Sequence, residues 1–93
     1  MIRSFKCKET QKIADLVGSR KLPTSIQKMA LRKLEMMEYA LDLNDLRIPP
    51  SNHLEALKGN RKGQHSIRVN AQWRICFVWR QGHAYNVEIV DYH

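Results

Sequence analysis

The chain closes on Asp91, Tyr92 and His93, three side chains that can carry a proton or hold a group that does. They end an alternating run, Val87-Glu88-Ile89-Val90, that reads as a strand. Tyr92 therefore has a defined face, whereas the terminal His93 can turn its ring and carboxylate either way. Upstream lie Arg68 and Arg74. If Asn70-Ala71-Gln72 is a three-residue hairpin loop, these two arginines oppose each other on one face. Like charges in that position cost a sheet some tenths of a kcal/mol. Such a face either splays its arginines into water or is built to hold an anion. Cleavage of RNA uses groups of these types. A base takes the 2′-hydroxyl proton, an acid protonates the leaving 5′-oxygen, and cations stabilise charge on the phosphate. The RNA brings its own nucleophile, so this chemistry asks for no metal and no cofactor. His53, His65, His83 and His93 show no HxxxH or HExxH spacing, and there is no GxxxxGK[ST], GxSxG or GxGxxG motif.

The register that gathers these groups follows from alternation. Strands are expected at His65 to Val69, Trp73 to Arg80 and Ala84 to Tyr92. Trp73, Ile75, Phe77 and Trp79 share one face, and a single core requires Ile67 and Val69 to join them. Val69 then opposes Trp73, Ile67 opposes Ile75, and Arg68 opposes Arg74. With Gln81-Gly82-His83 as the second loop, Tyr85 opposes Trp79, Val87 opposes Phe77 and Ile89 opposes Ile75. The other face carries Arg68, Arg74, Cys76, Glu88, Val90 and Tyr92.

Two helices must cover the core face. A short one is expected from Glu9 to Val17, with Ile13, Leu16 and Val17 inward and Gly18 as its stop. A longer one starts at Thr24-Ser25-Ile26-Gln27, which reads as a capping box. It carries the stripe Ile26, Ala30, Leu34, Met37 and Leu41, and Lys28, Arg32, Lys33, Glu35 and Glu38 fill its other faces. It must end before Pro49-Pro50. Met29, Met36 and Met37 read as core or partly buried packing. Ile2 to Phe5 is a short strand candidate, and Ser51 to Gly63 a connecting loop. The expected order is β-α-α-β-β-β, an α+β domain with both helices on one face of an antiparallel sheet.

Ninety-three residues suit one domain, spanning 1–93. With 16 Lys and Arg against 9 Asp and Glu, the net charge is +7, which suggests a polyanionic partner, RNA or DNA first; an acidic protein fits the same charge. Cys7 and Cys76 lie far apart and read as free thiols in a reducing compartment. No signal peptide is expected from Met1–Lys6, and no apolar run reaches membrane-spanning length, so a cytoplasmic protein without membrane contact is expected.

Several segments together resemble HigB toxins of the RelE/ParE-like superfamily: Met1-Ile2-Arg3-Ser4-Phe5, Leu57-Lys58-Gly59-Asn60-Arg61-Lys62-Gly63, Ser66-Ile67-Arg68-Val69, Asn70-Ala71-Gln72-Trp73-Arg74-Ile75 and Val87-Glu88-Ile89-Val90-Asp91-Tyr92-His93. Order and spacing match over essentially the whole chain. Trp73-Arg74-Ile75 with the Asp91-Tyr92-His93 ending is the specific part. The resemblance implies a RelE-like fold with two helices against a small antiparallel sheet. It implies mRNA cleavage in the ribosomal A site with release of a 2′,3′-cyclic phosphate. It also implies a HigA-type helix-turn-helix antitoxin, through which alone operator DNA would be met. By position, Asp91, Tyr92 and His93 match the family's catalytic terminus and Arg74 its phosphate-stabilising arginine. Lys58, Arg61 and Lys62 match its basic ribosome- or mRNA-contacting loop. Arg68 is added from the register and not from the resemblance. One departure is Glu55, which stands where some HigB toxins have a functional histidine. Either Glu55 takes that role, His53 swings in from two residues earlier, or the role is absent. A non-catalytic basic RNA-binding or ribosome-associated protein is the alternative; it explains the charge and the loop but not the Asp91-Tyr92-His93 ending.

Overall fold

The computed structural model describes residues 1–92. Helix α1 (Lys8–Ala14) and helix α2 (Thr24–Tyr39) precede a four-stranded antiparallel sheet in the order β1-β2-β3-β4. The strands are β1 (Glu55–Ala56), β2 (His65–Arg68), β3 (Trp73–Arg80) and β4 (His83–Asp91). Short 3-10 turns at Leu43–Arg47, Pro50–Asn52 and Gly59–Arg61 link α2 to the sheet. The α+β expectation holds, with two changes at the edges. Glu55–Ala56, inside the stretch expected to be loop, pairs with β2 as an extra strand. Ile2 to Phe5, expected as a strand, only touches β4 in parallel at Ile2–Ala84 and Phe5–Val87. Its backbone bonds still cap that edge, with the Arg3 amide donating to Ala84 O at 2.8 Å and the Val87 amide to Ser4 O at 3.1 Å. Farther along the same edge, the buried Thr10 hydroxyl accepts from the Ile89 amide at 2.9 Å.

The core forms as the apolar periodicities require. Ile26, Ala30, Leu34 and Met37 of α2 pack on Ile67, Ile75, Phe77, Val87 and Ile89 of the sheet, with Ile13 from α1. Each helix is shorter than its apolar pattern. α1 stops at Ala14, and Leu16 follows in the left-handed region at φ 66°, so Leu16 and Val17 are exposed rather than inward. α2 stops at Tyr39, which leaves Leu41 in solvent. Met37 is buried and Met36 half-buried, but Met29 is exposed. Lys33, expected on an outer face, is buried.

The capping box at Thr24 does not form. Thr24 is itself helical, after Pro23, and no side chain caps the turn. Gln27 instead secures the preceding loop: its Oε1 accepts from the Ser19 amide at 3.1 Å, and its Nε2 donates to Ser19 O at 2.7 Å and Leu22 O at 2.8 Å. Gln27 thereby satisfies three backbone groups of that loop, while the Lys21 and Leu22 amides donate to Ser19 Oγ at 3.1 Å each. A capping box does form at the next turn, between Asp42 and Asp45.

The first hairpin has the expected register: Ile67 opposes Ile75 and Arg68 opposes Arg74. In the second, Ile89 opposes Ile75 as expected, but Trp79 pairs with Ala84 and Val78 with Tyr85. Gln81 and Gly82 both have positive φ, 52° and 81°, so the turn has two residues rather than three. The residue gained by β4 is absorbed in a bulge, where Asn86 takes φ 53°. Beyond the bulge the expected register resumes, so the face carrying Arg74 is unaffected.

Candidate active site

The face turned away from the helices is organised in two rows. One runs across all four strands as Glu55, Ser66, Cys76 and Glu88. The next comprises Arg68, Arg74 and Val90. Ser66 and Cys76 are fully buried although no helix covers them. Arginines from neighbouring positions roof them over.

Arg74 leans back across its own row. Its Nε donates to Ser66 Oγ at 2.7 Å, and one Nη donates to the His53 carbonyl at 2.6 Å and, more weakly, to Ser66 O at 3.4 Å. The same nitrogen lies 3.9 Å from Glu55 Oε1. The guanidinium carbon stands 5.7 Å from the centre of the Tyr92 ring, within cation–π range. The side chain is 12% exposed. Its other Nη makes no hydrogen bond among the described residues and is left as a donor. His53 presents its carbonyl from a left-handed conformation, φ 45°, just after the Pro50–Asn52 turn. Tyr92 is fixed by its backbone, whose amide donates to Gln72 O at 2.7 Å.

Arg61 forms the second roof. Its guanidinium donates to Glu88 Oε1 at 2.8 Å and Gln64 Oε1 at 3.1 Å. The bond to Glu88 raises the Arg61 pKa and locks its charge. Burial pushes the Cys76 thiol up, so it stays protonated beneath these groups. Burial lowers the His65 pKa, with Arg47 adding to the effect, and the ring stacks on Phe77 at 6.3 Å, away from Arg74.

Of the residues singled out in the sequence, Arg74, Tyr92 and Glu55 meet in one place. Arg68 stands opposite Arg74 and makes no hydrogen bond or ion pair among the described residues. Lys58 and Lys62 are exposed, whereas Arg61 is tied to β4 rather than projecting with them. Asp91 pairs with Trp73 and so falls on the opposite face from Arg74, where Gln72 Nε2 donates to its carboxylate at 3.1 Å. His93 lies outside the described residues. Ser66 and the His53 carbonyl were missed. Period-two alternation places Ser66 on the same face as Arg68, but the approach of His53 depends on the path of a loop. No three His, Cys, Asp or Glu side chains among the described residues are grouped to share a metal ion.

A family model described as the RelE-like toxin of type II toxin–antitoxin system HigB matches residues 3–93. The chain belongs to this family of HigB-like toxins. It is 51% identical over 67 residues to Toxin HigB-1 of Vibrio cholerae serotype O1, covering 72% of this chain and 70% of that one. It is 32% identical to Endoribonuclease HigB of Proteus vulgaris over the whole of both chains. Among solved structures, the YoeB–YefM toxin–antitoxin complex of Staphylococcus aureus aligns with a TM-score of 0.62 at 18% identity, over 100% of this chain and 98% of that one. YafQ from E. coli aligns at 0.58 and 14% identity, over 98% and 93%. At such identities these structures speak to the fold alone: two helices on an antiparallel sheet. This HigB-like toxin shares that architecture.

Proposed function

We propose that this HigB-like toxin is a ribosome-dependent endoribonuclease that cuts mRNA in the ribosomal A site by attack of the RNA 2′-hydroxyl, leaving a 2′,3′-cyclic phosphate. The observation that carries the reading is Arg74, held by Ser66 and the His53 carbonyl near the Tyr92 ring, with one Nη unbonded among the described residues. A guanidinium fixed before substrate arrives needs no reorganisation as charge builds on the phosphate. Likeness over full length to a protein named an endoribonuclease supports the same chemistry.

In this mechanism Arg74 stabilises the phosphate and Tyr92 orients the nucleotide or shares a proton. His93 exchanges protons with the 2′-hydroxyl or the leaving oxygen, since imidazole titrates near neutrality. Glu55 sits 3.9 Å from Arg74, where a carboxylate can take a proton or hold the arginine in place. Asp91, bonded to Gln72, acts at a distance, in docking or in steadying the last residues. Lys58 and Lys62 meet ribosomal or messenger phosphates. The partner is an antitoxin of HigA type with a helix-turn-helix domain, and operator DNA is met only through it. The reaction draws on no cofactor, and the protein works in the cytoplasm. The test is cleavage of one mRNA free in solution and on programmed ribosomes. Cutting is expected only on ribosomes; equal cutting of naked mRNA refutes ribosome dependence, and none in either refutes the nuclease.

A further inference from the structure

Next to the Arg74 clamp, where α2, the Pro50–Asn52 turn and the end of β2 meet, lies a cleft of about 380 Å³. Lys33, Ser51, His53, Arg68 and Asn70 line it, and no acidic side chain does. Lys33 is 5% exposed, and its ammonium has one partner among the described residues, the neutral amide oxygen of Asn52. That amide is in turn fixed, with Nδ2 donating to Leu46 O at 3.1 Å. An ammonium has three protons to donate, and burial without a counter-charge is costly; burial accordingly lowers the Lys33 pKa. Arg68 likewise has no ion pair among the described residues. Asn70 Oδ1 accepts from the Gln72 and Trp73 amides at 2.8 Å each, and its amide nitrogen makes no hydrogen bond among the described residues. Beside the apolar Met29 and Val69, the cleft therefore gathers cations and donors with no negative group among the described residues that line it.

We propose that this cleft binds a backbone phosphate of the RNA strand adjoining the phosphate held at Arg74. The inference rests on the nuclease reading for the identity of the strand. Two features link the sites. His53 gives its carbonyl to Arg74 while lining the cleft, and Arg68 is the cross-strand neighbour of Arg74. Directly paired residues in an antiparallel sheet lie about 5 Å apart at Cα, so Arg68 and Arg74 start from neighbouring backbone positions, as contacts to successive phosphates of one strand would require. An acidic protein segment would satisfy the charge, but this cleft opens beside the candidate active site, where the RNA must run.

The probe is a 2′-O-methyl RNA trinucleotide, which cannot be cut, carrying no terminal phosphate, a 5′-phosphate or a 3′-phosphate. Binding to the full chain is measured by calorimetry. A phosphate at one end is expected to tighten binding roughly tenfold or more, as charge-assisted hydrogen bonds do. Arg68→Gln and Lys33→Met should each remove most of that gain. The proposal is overturned if Arg68→Gln keeps the whole gain, if neither terminal phosphate tightens binding, or if hexaglutamate displaces the phosphorylated probe as well as RNA does. Arg68 sits at the surface end of β2, so its variant decides the matter even where Lys33→Met does not fold. Ribosomal cleavage is scored separately. A phosphate gain without cleavage sinks the nuclease and leaves the cleft, while cleavage without the gain sinks only the cleft.

Discussion

An arginine that is to stabilise charge on a phosphate must arrive oriented, because a flexible guanidinium loses on ordering what it gains on contact. Arg74 meets that condition through Ser66 Oγ at 2.7 Å and the His53 carbonyl at 2.6 Å. Arg74→Ala is expected to slow cleavage on ribosomes about 10²–10³-fold, with a stability loss of about 1 kcal/mol because the side chain lies outside the helix-covered core. Arg74→Lys should rescue little, since one ammonium cannot fork between Ser66, His53 and substrate. Ser66→Ala should lose less than Arg74→Ala, mainly in the chemical step. Single-turnover cleavage with parallel thermal melts checks all three; an Arg74→Ala protein that melts far below wild type assigns the residue to the fold. A second expectation concerns His93. Final residues add little stability unless tied down, whereas loss of a general acid or base costs about 10²–10⁴ in rate. Deleting His93 should therefore end growth arrest on induction without antitoxin, with melting unchanged. Continued arrest would make it a bystander and point to Glu55 or Tyr92. The meeting of Arg74 with Tyr92 was legible from period-two alternation alone. The clamp was not, because His53 approaches from a turn, and Glu55 from a two-residue strand, whose paths no local pattern encodes.

At the scale of elements, the sequence was most legible where burial on one face left a single register. Ile67, Ile75 and Ile89 stack across three strands as alternation requires, and that row sets Arg68 against Arg74. It was least legible where local backbone preference competed with pattern. Gln81-Gly82 turns in two residues and Asn86 bulges, so Trp79 meets Ala84. Gly82 and Asn86 tolerate positive φ, whereas Gln81 is held there at φ 52° by the turn. The extra strand at Glu55–Ala56 has only two residues and no alternation to read, yet it carries Glu55 to Arg74. Gly82→Ala tests the turn. Gly82 has φ +81°, and an added Cβ would lie 3.4 Å from the Leu41 carbonyl. A loss of about 1 kcal/mol is expected, read as a lower urea midpoint with unchanged slope. Cleavage on ribosomes at a temperature where the variant is folded should be near wild type, because the register at Arg74 is set by the isoleucine row. An undiminished midpoint would show that the turn is not what fixes the second hairpin.

For the whole molecule, the charge of +7 is divided between groups with work inside the fold and groups left to solvent. His65 is counted as neutral in that charge, and its place in the fold favours the neutral ring. Its pKa is lowered from the ordinary 6.5 by burial, so below 6.5 the unfolded chain takes up a proton that the folded one resists. Stability then falls as pH drops from 6.5 toward the lowered value. His65→Phe should flatten that part of the melting profile between pH 7.5 and 5; an unchanged slope would locate acid sensitivity elsewhere. Arg61 is committed inside the fold, with its charge answered by Glu88 at 2.8 Å. Lys58 and Lys62 on the same loop are exposed and have no ion pair among the described residues. Composition and motif treat these three cations alike, and the structure separates them. If Lys58 and Lys62 contact phosphates, each releases about one counterion on binding, and the plot of log K against log salt has a slope of about 0.7–0.9 per contact. Replacing both by Ala should make ribosome binding less salt-dependent by roughly 1.5 in that slope. Arg61→Ala should change the slope by less than one contact's worth and lower the melting temperature instead, because it leaves Glu88 with only the longer Lys6 pair at 3.8 Å among the described residues and unties the Gly59–Arg61 turn from β4. Filter binding to programmed ribosomes across a salt series measures all of these. A slope unaltered in the double lysine variant would make the loop an ordinary solvated surface, and a full-contact change in Arg61→Ala would mean that its bond to Glu88 opens when RNA arrives.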